Sequence, residues 1–242
     1  MVRKDVVKAL TANLGHSFST DLGIDLTTGD AGEVFKWFLA SILFGARINE
    51  TIVMNTYEEF EVRGVQTPKT IIDMGWDGLV QILDAGGYVR YDFKTATKLL
   101  EVVGTLLHDY DGEIRNVHRV ASDPRDLERR VMALGKGIGT VTTGIFLREL
   151  RGIWEKADPP PQELASTAAW NLGFTDVIDK SEVGRNQVLN DLKFTWDQAG
   201  IRGKTFIDFE SALVRLGKNN CRRQRCEKCF MKQHCRFPKS LT

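Results

Sequence analysis

The sequence predicts an all-α protein. Three observations support this prediction: most segments place apolar residues at helical spacing, no segment alternates β-branched residues as a strand does, and glycine or proline separates the segments. A hydrophobic content of 42% and a charged content of 27% are those of an ordinary globular chain. At 242 residues the chain is long enough to form two helical lobes.

The predicted helices follow one another along the first two thirds of the chain. The strongest apolar face runs over residues 31–48, where large apolar side chains recur every third or fourth position. Further helices are predicted over 51–62, 71–83, 92–108, 125–134 and 140–154. Gly86 and Gly87 interrupt this series, and the proline run from Pro159 to Pro161 is expected to mark the crossing between the lobes.

The cellular location is predicted from two negative features. The longest apolar run, 37–45, is too short to span a bilayer, and the first residues lack the apolar core of a secretory signal. We therefore expect a cytoplasmic protein. Between Arg215 and Lys239 the only acidic residue is Glu227, among many lysines and arginines. Such a basic stretch favours an anionic partner such as nucleic acid, and hence association with the nucleoid.

The cysteines form one short cluster. Their spacing is C-x4-C-x2-C-x5-C, and the chain has no others. The four are Cys221, Cys226, Cys229 and Cys235. Disulfides would connect distant segments, so this cluster predicts a metal or iron–sulfur site in a reducing compartment. Zinc is the alternative ligand, although zinc ribbons usually present two separated C-x2-C pairs.

A glycine-rich connection, 134–140, joins two of the predicted helices. Glycines permit left-handed backbone angles and a close approach of the backbone to a ligand. The N–H groups at the start of the second helix would then face an anion, and Lys136 could add a positive charge. A tight interhelical turn without a ligand is the alternative interpretation.

Several segments resemble one protein family. Residues 131–143 resemble the helix-hairpin-helix of endonuclease III-like DNA glycosylases, and 38–47, 86–88 and 106–113 resemble other segments of that family in the same order. The resemblance implies a six-helix barrel over 28–153 and a second helical domain from 1–27 and 154–242, which carries a [4Fe–4S] cluster on the four cysteines. It also implies a monomer that binds double-stranded DNA. The DNA-binding residues that it implies are Lys136, Gly137, Gly139, Thr140, Arg47 and Tyr88.

The same resemblance identifies the catalytic residues. Where bifunctional members have a nucleophilic lysine, this chain has Val141, and the family's catalytic aspartate corresponds to Asp158, with Glu155 as a rival carboxylate. These residues imply a monofunctional N-glycosylase that flips a damaged or mismatched base and hydrolyses its N-glycosidic bond. The candidate substrates are alkylated purines and mismatched uracil or thymine. A glycosylase with lyase activity from an unmatched lysine and a non-catalytic lesion-binding protein are the alternatives.

Overall fold

A computed structural model describes residues 4–237 of the chain. Within these residues every regular element is helical and no strand is present, so the predicted all-α class is confirmed. The helices are α1 (Lys4–Leu14), α2 (Phe18–Asp21), α3 (Ala31–Phe44), α4 (Glu50–Val62), α5 (Pro68–Ala85), α6 (Asp92–Tyr110), α7 (Ile114–Val120), α8 (Pro124–Ala133), α9 (Thr140–Arg148), α10 (Glu163–Leu172), α11 (Glu182–Ala199) and α12 (Phe206–Leu216). Short helical turns follow at Gly217–Cys221, Cys226–Lys228 and Lys232–His234.

The chain divides into two units. The central unit comprises residues 19–159, and the terminal unit comprises the described residues up to 18 and from 160 onward. One boundary therefore falls inside the proline run, between Pro159 and Pro160. The barrel predicted over 28–153 begins later and ends earlier than the central unit, and its description as a six-helix barrel stays a prediction.

Short polar residues start several helices of the central unit. Asp30 accepts hydrogen bonds from the N–H groups of the first turn of α3. Thr67 forms a reciprocal capping box with Thr70 and is followed by Pro68, which suits the first turn of α5. Asp123 caps α8 by accepting a hydrogen bond from the N–H group of Asp126, and Pro124 follows it. These local signals explain why the helix starts were more predictable than the ends.

Large aromatic side chains form the core of the central unit. Trp37 is fully buried, and its indole N–H donates to the carbonyl of Phe146 over 3.0 Å. The ring of Phe146 packs edge-on against Phe38 and against Trp154, with centroid separations of 4.9 and 5.5 Å. Trp154 also stacks on His118 at 4.9 Å. These contacts join α3, α7, α9 and the segment after α9, so they fix the position of that segment.

Two predicted helix ends are wrong. The helix predicted over 31–48 ends at Phe44, and the helix predicted over 140–154 ends at Arg148. At the end of α3, a Cβ on Gly45 would lie 2.1 Å from Thr142 Oγ1. Gly45 therefore allows α9 to pack closely against the end of α3. The residues after α9 form successive turns up to Lys156 instead of a helix.

In the terminal unit, α12 packs against α1, α10 and α11. Arg215 at the end of α12 is buried, and it donates to the carbonyls of Leu14 and His16. Its guanidinium group also lies 3.9 Å from the centre of the Phe18 ring. At Gly217 the backbone approaches α10 so closely that a Cβ would lie 2.1 Å from the carbonyl oxygen of Leu164. The cysteine segment therefore begins at a firmly packed point.

No helix in the part of the chain that the structure describes is both long enough and apolar enough to cross a membrane.

Candidate functional site

The predicted hairpin connects α8 and α9 of the central unit. Leu134 is fully buried and Ile138 is nearly so, and together they anchor the connection in the core. Gly137 lies between these anchors, is exposed, and has a φ of +88°. Residues with a Cβ rarely adopt that angle. The hairpin therefore turns its backbone outward at Gly137.

The exposed part of the hairpin offers hydrogen-bond donors to an anion. Among residues 4–237, no acceptor is found for the N–H group of Gly137 or of Gly139. Thr140 is the exposed first residue of α9, where the helix dipole favours negative charge. The side chain of Lys136 is also exposed. The four residues predicted here thus lie on one exposed segment, and their contact with DNA stays a prediction.

One neighbour of the hairpin was missed by the sequence analysis. The N–H group of Lys136 donates to Glu101 Oε1 over 2.8 Å, so α6 contacts the hairpin directly. Val102, the next residue of α6, packs closely against Gly135, since a Cβ on Gly135 would lie 2.6 Å from Val102 Cγ2. The two residues of each contact are far apart in sequence, so no local sequence pattern predicts the contact.

Val141 occupies the second position of α9, where the family resemblance places a nucleophilic lysine. Its side chain is 53% exposed. The position is therefore accessible to a ligand but carries no amine. Schiff-base chemistry at this position is excluded by the residue type.

Asp158 lies just before the end of the central unit. Its side chain is 37% exposed, and Oδ1 lies 3.6 Å from Arg151 Nη1. Arg151 is almost fully buried and also donates a hydrogen bond to the carbonyl of Pro159. Arg151 therefore holds both the carboxylate and the backbone that follows it. Glu155, the rival carboxylate, is exposed.

The two remaining predicted DNA contacts differ in accessibility. Arg47 is exposed in the loop between α3 and α4. Tyr88 is fully buried, and its hydroxyl group donates to the carbonyl of Leu43 over 2.7 Å. A buried ring cannot reach DNA, so the structure argues against a DNA contact by the Tyr88 side chain. The sequence analysis had interpreted this core residue as part of an exposed loop. The exposed side chains of the same loop are Val89 and Arg90.

The four cysteines are free thiols, and each is half-buried. The pKa of the Cys221 thiol is raised to about 11, mainly by burial; the charge of the other three cysteines acts in the same direction, and a hydrogen bond with Asn171 opposes the shift. Burial also raises the pKa of the Cys229 and Cys235 thiols. Among the described residues, no group of three or more metal-ligating side chains is arranged around a single ion position.

The loop that carries the cysteines is anchored and basic. Met231 is buried within it, and the N–H group of Arg236 donates to the carbonyl of Asn171 over 2.7 Å. Two of its basic side chains form ion pairs, Lys232 with Glu227 and Arg236 with Asp176. The other basic residues of the loop are also exposed, namely Arg222, Arg223, Arg225 and Lys228. Arg215 faces inward instead, and Lys239 lies outside the described residues.

These features belong to an all-helical fold with a helix-hairpin-helix, and that fold is shared with solved structures. A structure of a trapped endonuclease III–DNA covalent intermediate is 17% identical, with a TM-score of 0.56, and the match covers 99% of both chains. The 3-methyladenine DNA glycosylase MagIII of H. pylori, bound to 1,N6-ethenoadenine, is 14% identical, with a TM-score of 0.59, and the match covers 90% of this chain and 98% of that one. The expected endonuclease III fold is therefore confirmed. No protein-family model and no curated protein matches the sequence.

Proposed function

We propose that this chain is a DNA N-glycosylase of base-excision repair. The observation that carries the proposal is the exposed hairpin, whose Gly137 and Gly139 N–H groups have no acceptor among the described residues, in a fold shared over nearly the whole chain with endonuclease III and with a 3-methyladenine DNA glycosylase. A DNA phosphate is the natural anion for such a hairpin. The exposed arginines of the cysteine loop would add phosphate contacts that do not depend on sequence.

Asp158 is the proposed catalytic carboxylate. Cleavage of an N-glycosidic bond builds positive charge on the sugar, and a nearby carboxylate stabilises that charge. In the proposed reaction a water oxygen bonds to the anomeric carbon and its proton passes to Asp158. The bond between sugar and base breaks, and the base leaves with the electron pair. Arg151 is the basic partner of this carboxylate, and its hydrogen bond to the carbonyl of Pro159 holds the backbone that follows Asp158.

The absence of an amine at position 141 favours water as the nucleophile. The enzyme that we propose is therefore monofunctional and leaves an abasic site in an intact strand. Alkylated purines are the preferred substrates among the candidates, because their positive charge makes them good leaving groups. The likeness to MagIII supports the same choice. Uracil or thymine in a mismatch is the second candidate.

We also propose that the four cysteines hold a [4Fe–4S] cluster. The donor set fits this group, since four half-buried thiols lie on one short loop. The thiolates of a cubane bind different iron atoms, so they need not surround a single ion position. When bound, the cluster would cross-link the loop and hold its exposed arginines in place.

The proposal is tested by a cleavage panel on labelled duplexes. The substrates carry an alkylated purine, hypoxanthine, uracil, a thymine mismatch or 8-oxoguanine, and each reaction is analysed with and without hot alkali. We expect strand breaks only after alkali, because a monofunctional enzyme leaves the backbone intact. The variants are Asp158→Asn, which removes the charge without changing the size, and Glu155→Gln as a matched control.

The outcomes separate the alternative functions. Loss of cleavage in Asp158→Asn and full cleavage in Glu155→Gln support the proposed mechanism. Breaks without alkali, together with a protein–DNA adduct trapped by borohydride, would show a lyase that uses another lysine. Tight binding to a lesion without cleavage of any substrate would show a lesion-binding protein.

A further inference from the structure

Lys98 of α6 lies across the outward turn of the hairpin. A Cβ placed on Gly137 would lie 3.0 Å from Lys98 Cε and 3.4 Å from Lys98 Nζ. The glycine therefore leaves just enough room for the lysine stem. Lys98 is half-buried, whereas the neighbouring Lys94 on the same helix is exposed. The ammonium group thus lies close to Gly137, whose N–H group has no acceptor among the described residues.

Within residues 4–237 no carboxylate forms an ion pair or a hydrogen bond with the ammonium group of Lys98. Burial lowers the pKa of Lys98, which shows that the protein disfavours its charged form. A partly desolvated ammonium group becomes favourable when an anion contacts it. The N–H group of Gly137 and the ammonium group of Lys98 are therefore two donors that lie close together.

Glu101 places a negative charge near Lys98 and the hairpin. It lies three residues after Lys98 on α6, and its carboxylate accepts the N–H group of Lys136. The carboxylate supports the hairpin backbone and at the same time repels an incoming phosphate. A glutamine at position 101 would keep an acceptor for that N–H group while removing the repulsion.

We propose that Lys98 is a phosphate ligand that completes the hairpin: its ammonium group and the N–H group of Gly137 bind one phosphate of the DNA backbone. The inference rests on the proposed function in that the anion is taken to be DNA. It does not depend on catalysis, because an undamaged duplex presents the same phosphates.

The test measures binding of the full chain to an undamaged fluorescent duplex over a series of salt concentrations. Lys98→Gln is expected to weaken binding by about tenfold at low salt and to reduce the slope of log affinity against log salt by about 0.9, the value for one lost phosphate contact. Glu101→Gln is expected to strengthen binding. The control is Lys69→Gln, whose lysine is highly exposed and paired with Asp73, and it should leave both quantities unchanged.

The opposite signs distinguish a charge effect from damage to the hairpin. If both variants at α6 weaken binding, or if Lys98→Gln leaves the salt slope unchanged while its melting temperature shows an intact fold, the inference is overturned. A wild-type protein that binds DNA but cleaves no lesion would contradict the proposed enzyme and leave this inference standing. A wild-type protein that does not bind duplex DNA would contradict both.

Discussion

Replacing Gly137 with alanine tests whether the hairpin backbone binds DNA. Gly64 provides a matched control in the same unit, because both glycines have positive φ angles, +88° and +66°. A Cβ on Gly64 meets nothing within 4 Å, and a Cβ on Gly137 meets only the flexible end of Lys98. Strain at Gly64→Ala should cost about 1–2 kcal/mol of unfolding free energy. The cost at Gly137→Ala should be about 1–3 kcal/mol, since +88° lies further from the left-handed well.

The two variants should differ in DNA affinity far more than in stability. Alanine at position 137 turns the N–H group away from the phosphate and displaces Lys98, which removes at least one charge-assisted hydrogen bond of about 1.5–3 kcal/mol. This corresponds to a loss of about 10- to 100-fold in affinity for a duplex. Urea unfolding and fluorescence anisotropy measure the two quantities. Equal DNA affinities for Gly137→Ala and Gly64→Ala would refute the role of the hairpin.

Two further predictions concern the buried tyrosine and the cysteine loop. Tyr88→Phe leaves the buried carbonyl of Leu43 without its hydroxyl donor. Urea unfolding should therefore show a loss of about 1–2 kcal/mol of unfolding free energy. A fall in DNA affinity at unchanged stability would instead show that Tyr88 contacts DNA. Cys226→Ser should lose iron, acid-labile sulfide and the visible absorption of a [4Fe–4S] cluster, because one of four thiolates is removed; zinc without iron in the anaerobically purified wild type would contradict the cluster.

Strong local signals made part of the fold predictable. Residues close together in sequence determine both kinds of signal. These are the apolar periodicity of α3, α5 and α6 and the N-terminal caps at Asp30, Thr67 and Asp123. The end of α3 was predicted four residues too late, and the close contact between Gly45 and Thr142 at that end joins residues that are far apart in sequence. The resemblance implied a helical domain beyond residue 154, but the sequence analysis placed no individual helix there, and α10, α11 and α12 form in that region.

The candidate site shows the same division. The hairpin was predictable because its three glycines lie at alternate positions of one short segment, 134–140. The burial of Tyr88 was not, since a tyrosine after two glycines fits an exposed loop as well as a core anchor. The contacts of Lys98, Glu101 and Arg151 were missed because they join residues that are distant in sequence or lie in a turn that had been predicted as helix.

The central claim is most directly tested by analysing the products from a duplex that carries one alkylated purine. Chromatography measures the released base, alkali reveals the abasic site, and borohydride traps any Schiff base. We predict free base in the same amount as alkali-sensitive sites, an intact strand before alkali, and no trapped adduct with the wild-type protein. Trapped adduct would contradict the monofunctional mechanism, and the absence of released base from this duplex and from every other lesion in the panel would contradict the assignment as a glycosylase.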